Sequence, residues 1–240
     1  KDKSFLFNII FSVFCSILAS FIYAMIQKDY SEEMQSKLEE IDAQLKRDKE
    51  LYDSGIISVR KKVYYDQEND FWKEILRGTD DRLDLVGHSI NTWFSEDYKD
   101  AFCSKIKNMT KSGSSIQIIV GTESGEIDWG RIIHKGEDEF SDLNKTERTC
   151  YELYNLAKEI GKKERKNLKL HVVKLEVITY LYIRTDKRCF ISPYILSPTN
   201  SKNSFLLELN SAIEYSKSFD ADVKEMINNS KHQKWEDIIK

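Results

Sequence analysis

Between Ser4 and Ile26 the chain carries 23 residues without a single charge, 18 of them apolar. At about 1.5 Å per residue a helix of that length measures about 34 Å, slightly more than a hydrocarbon core of about 30 Å. The stretch predicts a single N-terminal transmembrane helix. Its apolar character continues through Phe21, Ile22, Tyr23, Met25 and Ile26 to the polar boundary, where a secretory signal has a shorter core and a small-residue cleavage site. The expectation is an uncleaved anchor over residues 1–28. No second stretch approaches span length, which excludes a multi-span transporter, and four cysteines do not make a disulfide scaffold.

Asn8, Ser12, Ser16, Ser20 and Ala24 recur every four residues and form one polar and small stripe along this helix. Small residues let helices approach closely and Asn or Ser can hydrogen-bond across the contact, so the stripe predicts a homo-oligomer, as a sealed pair or a narrow pore. The alternative is that the serines bond back to their own helix. Lys1 and Lys3 before the span balance Lys28 and Lys37 after it, so lysine leaves the orientation open. Cys103, Cys150 and Cys189 are an odd set without ligand spacing, as expected of buried thiols in a reducing compartment. The expected localisation is the cell membrane, single-pass, with the body in the cytoplasm.

After the span, Tyr30 to Asp53 has helical spacing with Met34, Leu38, Ile41 and Leu45 on one seam. This reads as a short coiled-coil-like stalk over residues 29–54, or as an amphipathic helix lying on its own domain. Gly55 breaks the pattern and opens a domain over 55–240. Within it the hydrophobic period changes repeatedly. Helical spacing over Glu68–Arg77, Asp97–Lys111, Lys145–Gly161 and Ser218–Asn228 alternates with strand-like runs at Arg82–Gly87, Ser115–Val120, Leu168–Val177, Tyr180–Ile183 and Cys189–Tyr194. Helices alternating with strands predict a layered α/β domain around one mixed sheet.

The run Gly55, Ile56, Ile57, Val59, Arg60, followed by a helix, by Leu83-Asp84-Leu85-Val86-Gly87-His88-Ser89 with Trp93-Phe94, and by Ile116 to Val120, resembles the start of a phospholipase D-like domain. Tyr180 to Asp186, Phe190 to Tyr194 and the Ser197-Pro198 loop resemble that family's second strand pair. The family's H-x-K-x4-D motif supplies a nucleophilic histidine, a phosphate-neutralising lysine and an orienting aspartate. With Asp186 at the aspartate position, Thr179 stands where the histidine belongs and Leu181 where the lysine belongs. The resemblance therefore implies a catalytically degenerate member, without catalytic residues, whose cleft holds a phosphate-bearing ligand uncut. His232-Gln233-Lys234 has H-x-K spacing, but position 239 is Ile.

His88 and Ser89 follow an expected strand at its carboxyl end, where open α/β sheets bind ligands. Thr122 and Glu123 leave the next strand at the same edge, and the family alignment adds Thr179 and Asp186. These six residues are the expected ligand site. His88, His134, His171 and His232 are far apart, with no carboxylate or cysteine at ligand spacing, and no phosphate-binding glycine loop occurs, so neither a metal nor a cofactor is expected. Lys162, Lys163, Arg165, Lys166 and Lys169 form a basic patch suited to an oligonucleotide or anionic lipid, or simply to a solvated helix end. A net charge of −3 excludes general DNA binding.

Together these features predict a membrane-anchored sensor and effector. Its degenerate domain binds a nucleotide, an oligonucleotide or a protein partner and thereby controls packing of the membrane helices. The build resembles membrane effectors of bacterial anti-phage defence systems. A membrane-anchored phosphodiesterase or nuclease with a rearranged site, and a passive scaffold for a partner protein, are the alternatives.

Overall fold

Most strand-forming segments are short apolar runs rich in Ile, Val, Leu and Tyr. In a computed structural model, which describes residues 37, 40, 44, 46–61, 71–194 and 204–239, they assemble into one sheet. The chain divides into two units, Lys1–Ser54 and Gly55–Lys240. In the first, residues 46–53 are helical. The expected seam residues Met34, Leu38, Ile41 and Leu45 lie outside the described residues.

The second unit runs β1 (Ile56–Lys61), α1 (Phe71–Arg77), β2 (Arg82–Gly87), α2 (Lys99–Ser112), β3 (Ser115–Thr122), α3 (Trp129–Asp138) and α4 (Lys145–Glu159). It continues through β4 (Leu168–Lys174), β5 (Tyr180–Arg184), β6 (Arg188–Pro193), β7 (Phe205–Asn210), α5 (Glu214–Asn228), β8 (Lys231–Gln233) and α6 (Trp235–Ile238). Among the described residues the sheet has eight strands in the order β1-β7-β6-β5-β2-β3-β4-β8. β2, β3 and β4 are parallel neighbours; every other pairing is antiparallel.

This corrects one expectation. The fold is mixed α/β around one sheet, and the expected N-terminal transmembrane helix is not shown among the described residues. Among the described residues no helix is long and apolar enough to cross a membrane. The longest, α4 and α5, have 15 residues, about 22 Å of helix, with apolar residues on one face only. The predicted span Ser4–Ile26, with Asn8, Ser12, Ser16, Ser20 and Ala24, lies outside the described residues.

Side chains alternate across the sheet. On one face Leu83, Leu85, Ile116, Ile118, Leu170, Leu181 and Ile183 pack with Phe102, Ile106, Leu153 and Trp235 from the helices. On the other, Val86, Ile119, Tyr180, Tyr182 and Ile191 meet Val223 and Met226 of α5. The second face also holds an ionic cluster. Arg82 Nε donates to Asp84 Oδ2 at 2.6 Å, Tyr182 donates to Asp220 Oδ1 at 2.6 Å, and Arg184 Nη1 lies 3.1 Å from Asp220 Oδ2. Asp84 is 1% exposed and its Oδ1 has no partner. Burial therefore raises its pKa, against the pull of Arg82 and Arg184.

Several element boundaries follow from local chemistry. Gly113 ends α2 with φ +87°, its N–H reaching the carbonyls of Met109 and Thr110. Gly55 turns into β1 with φ +79°, and a Cβ there would fall 1.9 Å from Ile213 Cδ1. Among the elements that escaped the sequence reading are α3, β7 and β8. α3 contains Gly130 and Gly136, both poor helix formers. β7 follows no clean alternation, and β8 is three polar residues on a sheet edge.

His171 on β4 is buried opposite His232 of β8. Burial, then His232 and Lys169, push its pKa down to about 4. The unfolded chain takes a proton there below about 6.5, which the folded chain refuses until far lower. Stability from this site is thus complete above the unfolded value and is lost as pH falls across the window down to about 4. Urea midpoints at pH 7 and pH 4.5 should show a loss on the order of 2 kcal/mol that is absent in His171→Asn.

Candidate functional site

β2 and β3 both end at one edge of the sheet, and α3 and α4 both begin there. Their termini enclose a pocket of about 730 Å³ lined by His88, Ser89, Thr122, Glu123, Arg131 and Lys145, among others. That volume is in the range of small-molecule sites. Hydroxyls of α4 tie the strand ends to the helix: Thr146 Oγ1 donates toward the carbonyls of His88 at 3.1 Å and Gly121 at 3.3 Å, and Thr149 Oγ1 to Ser89 at 2.6 Å. Ile90, just beyond, adopts φ +46°, a conformation that a β-branched residue holds only under constraint.

The His88 ring is fixed on two sides. It stacks on Tyr194 with centroids 3.8 Å apart, and its Nε2 lies 2.8 Å from the carbonyl oxygen of Ile178. A carbonyl only accepts, so Nε2 carries the proton and Nδ1 bears the lone pair. The Tyr194 hydroxyl accepts the His88 backbone N–H at 3.2 Å. Burial raises that phenol to about 12, more than the His88 N–H lowers it.

Charges around the pocket largely answer one another. Arg131 pairs with Glu147, and Lys231 with Glu126. Asp128 Oδ1 accepts the Arg131 N–H at 3.0 Å as the N-cap of α3. Asn144 and Glu147 close a capping box on α4, which satisfies the Thr146 and Glu147 N–H groups. An anionic ligand would rest on the side chains of Lys145 and Arg131. Cys150 also lines the pocket, but burial and Glu147 push its thiol up to about 12, which keeps it an unreactive thiol.

Four of the six expected ligand residues therefore meet here: His88, Ser89, Thr122 and Glu123. Thr179 is exposed just before β5; its carbonyl accepts the Tyr194 N–H at 2.9 Å, and its side chain is not part of the lining. Asp186 is corrected outright. It sits past the far end of β5, about 20 Å down the sheet from His88, where its carboxylate accepts N–H groups of Asp80, Asp81 and Arg82 at 2.6 to 3.2 Å. Burial opposes its ionisation, but those N–H groups and Lys105 win and hold its pKa below the ordinary value. Leu181, at the family's lysine position, is 8% exposed within the apolar core.

The basic patch lies at the opposite end of the parallel strands, in the loop between α4 and β4 and at the start of β4. Lys162, Lys163, Lys166 and Lys169 are exposed. Arg165 is withdrawn from it, because its guanidinium caps α4 through the carbonyls of Ala157, Ile160 and Lys158. Arg131, Asn144, Lys145 and Thr146 were missed as pocket residues. Asn144-Lys145-Thr146-Glu147 is a legible capping box, and it marks a helix start facing the strand ends.

No protein-family profile matches the chain, and no curated protein matches it. Among solved structures it is similar to TrmBL2, described as an archaeal chromatin protein with a novel mode of DNA binding. The two are 13% identical with a TM-score of 0.45, over 90% of this chain and 70% of that one. It is also similar to phosphatidylserine synthase of Haemophilus influenzae Rd KW20, at 11% identity and a TM-score of 0.42, over 69% of this chain and 37% of that one. Likenesses at this level carry no functional argument.

Proposed function

We propose that the unit Gly55–Lys240 is a phospholipase D-like sensor domain that binds a phosphate-bearing, nucleotide-class ligand without cleaving it. The observation that carries this reading is the pocket at the carboxyl ends of β2 and β3, lined by Lys145 and Arg131 from the first turns of α4 and α3 together with His88 and Ser89. Support for binding over hydrolysis comes from the positions the family uses for chemistry: Leu181 is immersed in the core, and Thr179 is exposed outside the lining. A membrane step forms no part of the proposal, since no spanning helix is among the described residues.

The test is thermal stability of the full chain against cyclic and linear nucleotides and short oligonucleotides. Binding to the folded state at 100 times Kd stabilises by about 2.7 kcal/mol, which a melt resolves. One ligand class should raise the midpoint and be recovered intact. Lys145→Glu should weaken that ligand by tenfold or more, on the order of 1.4 kcal/mol, while Lys163→Glu on the distant loop leaves it unchanged. Consumption of the ligand would replace this reading with a phosphodiesterase. No response to any nucleotide would replace it with a scaffold for a protein partner.

A further inference from the structure

The four histidines are scattered in the sequence, yet folding brings two of them together. His171 of β4 and His232 of β8 are register partners across an antiparallel pair, and their ring centroids are 5.0 Å apart at 38°. The protonation of His171 is set by its neighbour. Ser230 Oγ gives its only hydrogen to the Ile227 carbonyl at 2.7 Å, so at the 2.9 Å contact with His171 Nδ1 it must accept. Nδ1 carries the proton, and Nε2 presents a lone pair. That Nε2 is buried without a partner, on a side chain of which 5% is exposed. A neighbouring oxygen that fixes the tautomer and leaves the other nitrogen bare is the arrangement of a metal-ligating histidine.

The spacing agrees. A zinc–nitrogen bond of about 2.1 Å places each imidazole centroid about 3.2 Å from the ion, and two such rings at a tetrahedral angle have centroids about 5 Å apart. Charge narrows the class of ion. Lys169, two residues before His171 on the same strand face, repels a cation held by charge alone. It leaves ions held by imidazole coordination, of the zinc, copper and nickel kind.

We propose that His171 and His232 form a two-histidine site for a borderline transition-metal ion, zinc by class, with water completing its coordination. The ion would pin β8, a three-residue edge strand, to β4 and with it the chain that leads into α6. This site is separate from the ligand pocket and does not depend on its assignment.

The experiment is a melt of the full chain at pH 7.5, first in chelator and then in Zn²⁺ alone, with Mg²⁺ as control. Zinc at roughly ten times its Kd should raise the midpoint by about 3–5 °C, and Mg²⁺ should not. His232 is exposed, so His232→Ala should fold, and it should lose the zinc response. Ring ¹⁵N signals of His171 and His232 should both move with zinc. His134, paired with Asp138 one turn along α3, is the surface chelate that competes for the ion. Movement confined to His134, an equal response in His232→Ala, or no response to zinc would each overturn the proposal.

Discussion

Asp84→Ala is expected to destabilise the domain by about 3 kcal/mol, read as a lower urea midpoint with an unchanged slope. Asp84 is buried between β2 and α5, where Arg82 and Arg184 are answered by Asp84 and Asp220. Truncating one carboxylate leaves two guanidinium groups sharing Asp220, one of them almost enclosed. The loss sits at the lower end of the range for broken buried pairs, because Arg82 is 36% exposed and recovers some hydration. The double variant Arg82→Met with Asp84→Leu separates charge imbalance from lost packing. It removes one charge of each sign and leaves Arg184 with Asp220, so it should be the more stable of the two variants by at least about 1 kcal/mol. A double variant as unstable as Asp84→Ala would show that shape, rather than charge, holds α5 in place.

Asp186→Ala is expected to cost about 2 kcal/mol and to leave nucleotide affinity unchanged. The two halves of this prediction distinguish a structural aspartate from a catalytic one. Three backbone N–H groups lose their acceptor at the entrance to β2, and each is a charge-assisted bond on a partly solvated side chain. Asp186→Asn retains one carbonyl oxygen and should fall between the two. The pH dependence has a definite sign. The folded pKa of Asp186 lies below the ordinary value, so its contribution is present at neutral pH and disappears as pH falls through that folded value. A large change in ligand binding by Asp186→Ala would place this residue in the site despite its distance from His88.

Asp186 also shows how far a family pattern reaches. Spacing alone aligned it with an orienting aspartate, and the hairpin between β5 and β6 does end and begin on either side of it. Its hydrogen bonds, however, depend on where β2 lies relative to β5, and that neighbour is about a hundred residues away in the chain. His88, Ser89, Thr122 and Glu123 were legible because each follows its own strand immediately, and parallel strands deliver their carboxyl ends to one edge. Arg131 and Lys145 were harder to see, since they become pocket residues only when α3 and α4 dock beside that edge.

The sequence by itself determined most of the alternation of helix and strand, the apolar faces of α2 and α4 and the stop at Gly113. These are local or periodic properties, set by backbone sterics and by which side chains avoid water within a few turns. Tertiary structure alone decided that Asp186 serves the start of β2, that Arg165 caps α4 instead of joining the lysines, and that His171 meets His232. Each of these pairings joins groups whose meeting depends on strand order, register or the docking of a helix. A hydrogen bond or a coordinating pair reaches only about 3 Å, so its partners are chosen by the completed sheet and not by spacing along the chain.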